Sequence, residues 1–270
     1  MSKMIKHVLL SGLIAFAAVL PGYSFAGDAL QRVIDFQVLK VGMSGNQPPM
    51  NMTNREGGLI GFDVDLAKAL AMAMNVKLEI KPIPFGDLMK ALQEDKVDMV
   101  VSNMSITPER TELVSFVGPY MMSGMSILTK KNSELGTITS AEQFNRPGLK
   151  LLALSNSTHA NFVKTIAPEA TLIEYGSYDE GVALLIEGKA DAMVADMTQC
   201  ILAVLRFPEA GLATLEKPLT VEPVGIAVSK DDAQFFNLVD NYLRAYEKSG
   251  VLTQLRKKWF EDDSWIAVLP

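Results

Sequence analysis

The chain has 270 residues, 49% of them hydrophobic, and a formal net charge of −6 at pH 7. That length suits one large domain or two small ones. The acidity argues against nucleic acid and supplies no polybasic patch for a membrane surface.

The first 26 residues read as a signal peptide rather than as part of the fold. Lys3 and Lys6 give a positive start, residues 8–20 are an apolar run too short for a bilayer span, and Ser24, Phe25 and Ala26 end it with small residues. Cleavage after Ala26 and export to the periplasm are the expectation. Cys200 is the only cysteine, so no internal disulfide is available. It lies in an apolar helical stretch and reads as a buried small hydrophobe. His159 is the only histidine beyond residue 26, so clustered metal ligands are not expected.

Taken in order, residues 39–43 predict a first strand that ends in a loop of Gly, Asn and Pro. Asp63 is placed to cap a helix running to Met74, with Asp65 in its positive first turn. Strand 76–81, helix 87–94 and strand 97–101 follow. After the polar stretch 130–139 the pattern restarts: strand 149–154, helix 158–165, strand 171–175, helix 179–187 and strand 191–194. Strands alternating with helices predict parallel, doubly wound sheets. Two amphipathic helices, 233–248 and 251–260, close the chain and are expected to pack back on the first half. The chain then crosses between lobes twice, with 120–129 and 221–228 as the extended crossings of a hinge. The expected lobes are 27–121 plus 225–270, and 122–224.

Two segments repeat each other. Residues 91–105 (ALQEDKVDMVVSNMS) and 184–198 (LLIEGKADAMVADMT) align without gaps and are identical at six of 15 positions. Each joins the end of a helix to a short buried strand. Asp98 and Asp191, shared by both copies, read as architectural. Beyond the strands the copies differ: Ser102, Asn103 and Ser105, with Arg110 just after, stand in the first, and Asp196 in the second. Ligands in open α/β sheets sit beyond the carboxyl ends of strands, so the mismatch offers a cation on one lobe and an anion on the other.

Four motifs in sequence order carry a resemblance across the whole chain beyond residue 26. They are Gly61-Phe-Asp-Val-Asp-Leu66; Ser105-Ile-Thr-Pro-Glu-Arg110 with Phe116 and Pro119-Tyr120; Ser157-Thr158; and Asp191-Ala-Met-Val-Ala-Asp196. Together they resemble the extracellular solute-binding proteins of amino-acid ABC transporters, the polar amino-acid type. The resemblance implies a type II periplasmic-binding-protein fold, no cofactor, and delivery of an amino acid to a permease at the inner membrane. It implies that Arg110 clamps the ligand carboxylate, with Ser105, Ser102, Thr158 and Ser157 adding donors, and that Asp196 accepts the ammonium. Phe85 matches the family's aromatic floor and reads equally as a core residue. Asp196 is also expected to cap the helix after it, and Asp63 and Asp65 read as structural. The chain departs from the family at Gln47, where many members place an aromatic, at Asn103, which replaces a small residue, and at Ser44, where binders of basic amino acids often place an acid. The uncharged loop with Ser44, Asn46, Gln47 and Met50 predicts a neutral ligand.

Two other functions fit the same fold. One is an enzyme like cyclohexadienyl dehydratase, which needs a general acid in the cleft; residues 197–200 (MTQC) supply no carboxylate after Asp196. The other is a ligand-sensing protein that reports to a chemoreceptor. The small acidic lobes suggest a monomer.

Overall fold

A computed structural model describes residues 29–138 and 140–270; the signal-peptide reading of residues 1–26 lies outside them. Helix α1 (Ala29–Phe36) leads into strand β1 (Val38–Met43), which buries Leu39, Val41 and Met43. A small three-stranded sheet follows, β2 (Asn46–Gln47), β3 (Asn51–Thr53) and β4 (Leu59–Ile60). Then come α2 (Phe62–Ala73), β5 (Lys77–Pro82), α3 (Leu88–Gln93), β6 (Met99–Val100), α4 (Pro108–Thr111) and β7 (Ser115–Ser123).

The second half repeats that plan with β8 (Met125–Lys130), β9 (Lys150–Leu154), α5 (Thr158–Ile166), β10 (Thr171–Tyr175), α6 (Tyr178–Ile186), β11 (Ala192–Asp196), α7 (Met197–Arg206) and β12 (Leu212–Thr214). Strand β13 (Glu222–Val228) then returns to the first sheet, and α8 (Ala233–Ser249) and α9 (Val251–Arg256) pack there.

The two five-stranded sheets have matching orders, β5-β1-β6-β13-β7 and β10-β9-β11-β8-β12. In each, three helix-connected strands run parallel, the fourth (β13 or β8) runs against them, and the outermost (β7 or β12) is antiparallel to the fourth. In the first sheet the antiparallel pair is β7 and β13, which carry the chain between the lobes, so the sheets are mixed. The fold is the expected two-lobed α/β architecture with two extended crossings. Those crossings touch at Gly124, between β7 and β8, where a Cβ would stand 2.2 Å from the Thr220 carbonyl oxygen. Only glycine lets the two connections pass this closely.

The sequence repeat has a structural meaning. Asp98 Oδ2 accepts from the Lys40 backbone N–H at 2.8 Å, and Asp191 Oδ2 accepts from the Lys150 backbone N–H, also at 2.8 Å. In each lobe the shared aspartate pins the start of one strand to the neighbouring parallel strand. Both acids are architectural, as their repetition predicted.

The start of α2 differs from expectation. Its N-cap is Gly61, not Asp63. Gly61 has φ +137°, and a Cβ there would lie 2.2 Å from the Met50 carbonyl oxygen, so a side-chain cap at this position has no room. Asp63 instead points inward from the first turn and is fully buried. Helix α8 does carry an acid cap: Asp232 accepts from Phe235 N–H at 2.8 Å, while its other oxygen accepts from Leu30 N–H and ties α1 to α8.

Candidate functional site

The end of β6 and the end of β11 face each other across the cleft. Beyond β6 the chain turns through Asn103, which has φ +49°, a left-handed conformation that asparagine tolerates. The turn lets residues 104–106 pair with β13: Ser105 bridges Val224, and Ile106 N–H donates to the Pro223 carbonyl at 2.7 Å. This pairing sets Ser105 beside Glu222, 117 residues further along the chain.

One hydrogen-bond group centres on Asn103. Its backbone N–H donates to Asp63 Oδ2 at 2.9 Å, and its side-chain amide donates to Asp196 Oδ2 at 2.7 Å and to Gln47 Oε1 at 3.3 Å. Gln47 in turn donates to Ser44 Oγ and to the Ser102 carbonyl, and Ser102 Oγ accepts from Ser44 N–H. Asp63 also accepts from Tyr120 Oη and Asn51 Nδ2, each at 2.7 Å. Burial raises its carboxyl to about 6 even though these donors oppose the shift. Burial and the adjoining Asp63 carboxylate also push the Tyr120 hydroxyl well above its ordinary value.

Asp196 is 4% exposed and accepts from Ser123 Oγ at 2.6 Å as well as from Asn103. It occupies the N-cap position of α7 without making a side-chain cap bond. The capping role is therefore corrected: its oxygens are drawn into the cleft by better donors. Burial pushes this carboxyl up, but His159, Ser123 and Asn103 outweigh burial and hold it below the ordinary aspartate value.

His159 was not singled out as a site residue. It is 7% exposed, its Nε2 lies 3.8 Å from Asp196 Oδ1, and neither ring nitrogen has a hydrogen-bond partner among the described residues. At 3.8 Å the contact is too long for a hydrogen bond and is an ion pair when the imidazole is protonated. Burial pulls its pKa down, but Asp196 and Glu222 pull it up further, and the net direction is upward.

The second group centres on Glu222, also missed by sequence reasoning. Its Oε2 accepts from Ser105 Oγ at 2.7 Å and from Thr158 Oγ1 at 3.1 Å; its Oε1 accepts from Thr220 Oγ1 at 3.1 Å. Arg110 donates from Nη1 to the Ser105 carbonyl at 2.9 Å, and its guanidinium lies 5.5 Å from the Phe85 ring centroid. Burial lowers the Arg110 pKa, opposed chiefly by the charge of Glu222. Phe85 thus carries Arg110 on its face, and it also belongs to the apolar cluster with Leu88 and Val100. Ser157 stands slightly apart: its hydroxyl caps α5 by accepting from Ala160 N–H and donates to the Leu154 carbonyl.

The structure therefore brings together Arg110, Asp196, Ser105, Thr158, Ser102, Asn103 and Gln47 at one cleft, with Phe85 under Arg110. Asn46 adds a contact between the halves through Nδ2 and the Gly176 carbonyl at 3.1 Å. Cys200 is fully buried, with its thiol pushed up to about 12 by burial, consistent with an inert core position.

A family model for bacterial extracellular solute-binding proteins, family 3, matches residues 39–262. The chain belongs to this family. Among similar curated proteins, the glutamine-binding protein of an ABC transporter from Bacillus subtilis is 30% identical over 240 residues, covering 87% of this chain and 86% of its own length. Cyclohexadienyl dehydratase from Pseudomonas aeruginosa is 28% identical over 263 residues, covering 97% of each chain. Among solved structures, a binding component of an ABC transporter from Wolinella succinogenes, complexed with lysine, superposes with a TM-score of 0.81 at 33% identity, covering 86% of this chain and 99% of that one. Membership places the protein among extracellular solute-binding proteins. Among the described residues no helix is long and apolar enough to cross a membrane.

Proposed function

We propose that this family 3 protein binds an amino acid in the cleft between its lobes and delivers it to the permease of an ABC transporter. The observation that carries the reading is the separation of charge: Arg110 stands on the first lobe, and Asp196 ends a strand of the second. Arg110 would take the α-carboxylate with its planar fork, and Asp196 would take the ammonium. A zwitterion favours the closed arrangement because only closure satisfies both of its ends. Ser105, Thr158, Ser102, Asn103 and Gln47 line the same cleft, Phe85 backs Arg110, and Ser157 orients α5. The lobes are residues 27–121 with 225–270, and residues 122–224. Residues 1–26 direct export to the periplasm, and the protein works as a monomer without a cofactor.

The ligand side chain is uncharged. The loop from Ser44 to Met50 contributes only neutral groups, and Ser44 and Gln47 hydrogen-bond to each other. A thermal-shift screen of purified protein against all common amino acids tests the reading. A ligand at about 100 times its Kd adds about 2.7 kcal/mol of stability. A response to no amino acid would remove it.

A second reading is a dehydratase activity, favoured by the similarity of cyclohexadienyl dehydratase over 97% of the chain. No carboxylate stands on the first turn of α7, and the cleft carboxylates Asp196 and Glu222 are each held by several side-chain donors, which speaks against it. Incubation with prephenate or arogenate separates the two readings: release of carbon dioxide and water from either would establish the enzyme.

A further inference from the structure

Glu222 contacts the hydroxyls expected to receive the ligand's carboxylate. Ser105 lies on the first lobe and Thr158 on the second, and both hydroxyls donate to the same oxygen, Glu222 Oε2. Glu222 itself begins β13, the strand that returns to the first sheet, and is 9% exposed. Its other oxygen is held by Thr220, and its charge acts on Arg110. A bound carboxylate would need the same surroundings: two hydroxyl donors in contact and a guanidinium charge nearby.

We propose that Glu222 is an affinity-setting residue, an internal carboxylate that competes with the ligand carboxylate for Ser105 and Thr158 and bridges the lobes through them. The proposal rests on the amino-acid reading for its ligand and on the observed bonds for its bridge.

A carboxylate tethered beside its donors acts at a high effective concentration, on the order of millimolar for a short tether. Every ligand carboxylate must displace it. The apparent affinity of each ligand falls by the same factor, the fraction of molecules in which the donors are released. A plain carboxylate has only this pole to bind through, so the common factor carries it below useful affinity. A zwitterion recovers the loss through its ammonium and Asp196. Glu222 therefore sets how tightly any carboxylate must bind to be held, and leaves the ratio between amino acid and plain acid to Asp196. Glutamine at 222 keeps the length and an acceptor oxygen but removes the charge, so it holds the hydroxyls more weakly.

The experiment has two arms. In the first, wild type and Glu222→Gln are titrated by calorimetry with each amino acid and with its deaminated acid (alanine beside propionate, for example). The expected result is a gain of roughly tenfold or more for amino acid and plain acid alike, as the common competing factor is relieved. Equal or weaker binding by Glu222→Gln overturns the competition. In the second arm, Glu222→Gln, Thr158→Val and the double variant are unfolded in urea without ligand. The double variant should lose less stability than the two single losses added together; strictly additive losses overturn the bridge. If coupling is present and no amino acid binds either protein, the bridge stands and the amino-acid reading falls. Glu222→Ala repeats both arms should Glu222→Gln fold poorly.

Discussion

Asn103 Nδ2 donates to Asp196 Oδ2 at 2.7 Å, joining the turn beyond β6 in one lobe to the last residue of β11 in the other. These are aligned positions of the sequence repeat. The candidate site therefore lies where two copies of one scaffold differ, and the differing side chains touch.

Asn103 has two separable roles, because its backbone is left-handed and its side chain bridges the lobes. Asn103→Gly keeps the backbone and removes the bridge. Asn103→Ala removes the bridge and adds strain of about 1–2 kcal/mol. In urea unfolding the alanine variant should be less stable than the glycine variant by that difference. Both should bind ligand more weakly than wild type, since each removes a bond that joins the lobes in the closed arrangement. Equal stability of the two would mean the turn is not left-handed in solution.

His159 and Asp196 make stability depend on pH in a stated direction. His159 is shifted up, so its contribution is complete below the ordinary histidine value of about 6.5 and is lost as pH rises through its raised folded value. Asp196 is shifted down, so its contribution is complete above about 3.9 and is lost as pH falls through its lowered folded value. Glu222 and Arg110 also act on the imidazole, with opposite signs. The Tm difference between wild type and His159→Gln should be largest near about pH 5.5 and shrink by about pH 8.5. A difference that grows with pH would show that the imidazole is not held by these acids.

Asp63 follows His159 in sense and opposes Asp196. With its carboxyl raised from 3.8 to about 6, the folded state holds more protons than the unfolded state in that interval. Its contribution is complete below 3.8 and falls as pH rises to about 6, a change of about 3 kcal/mol. The Tyr120 hydroxyl limits this loss by donating to the carboxylate. Tyr120→Phe should therefore cost about 1–3 kcal/mol at neutral pH and less at about pH 4.5. Chemical denaturation at the two pH values measures it, and a cost independent of pH would contradict the role given to the hydroxyl.

Much of this was legible in the sequence. Alternating helices and strands revealed the two sheets, and the repeat located the cleft, because buried strands and their pinning aspartates are local patterns. The donors Arg110, Ser105 and Thr158 followed from the resemblance. Glu222 was not legible: it reaches the cleft only because residues 104–106 pair with β13, a contact that no local pattern records. His159 was hidden by being a single histidine, which argues correctly against a metal cluster but says nothing about a lone imidazole facing an acid. Asp63 was misread because an acid at a helix start usually caps, and the donors that draw its carboxylate inward, Asn51, Tyr120 and the Asn103 N–H, come from other elements.

The central claim is that Arg110 and Asp196 hold opposite ends of one zwitterion. The most direct measurement is a crystal structure with the amino acid that gives the largest thermal shift. The account predicts the ligand carboxylate within hydrogen-bond distance of the Arg110 guanidinium and its ammonium on Asp196. A ligand bound elsewhere, or one in the cleft that touches neither residue, would contradict it.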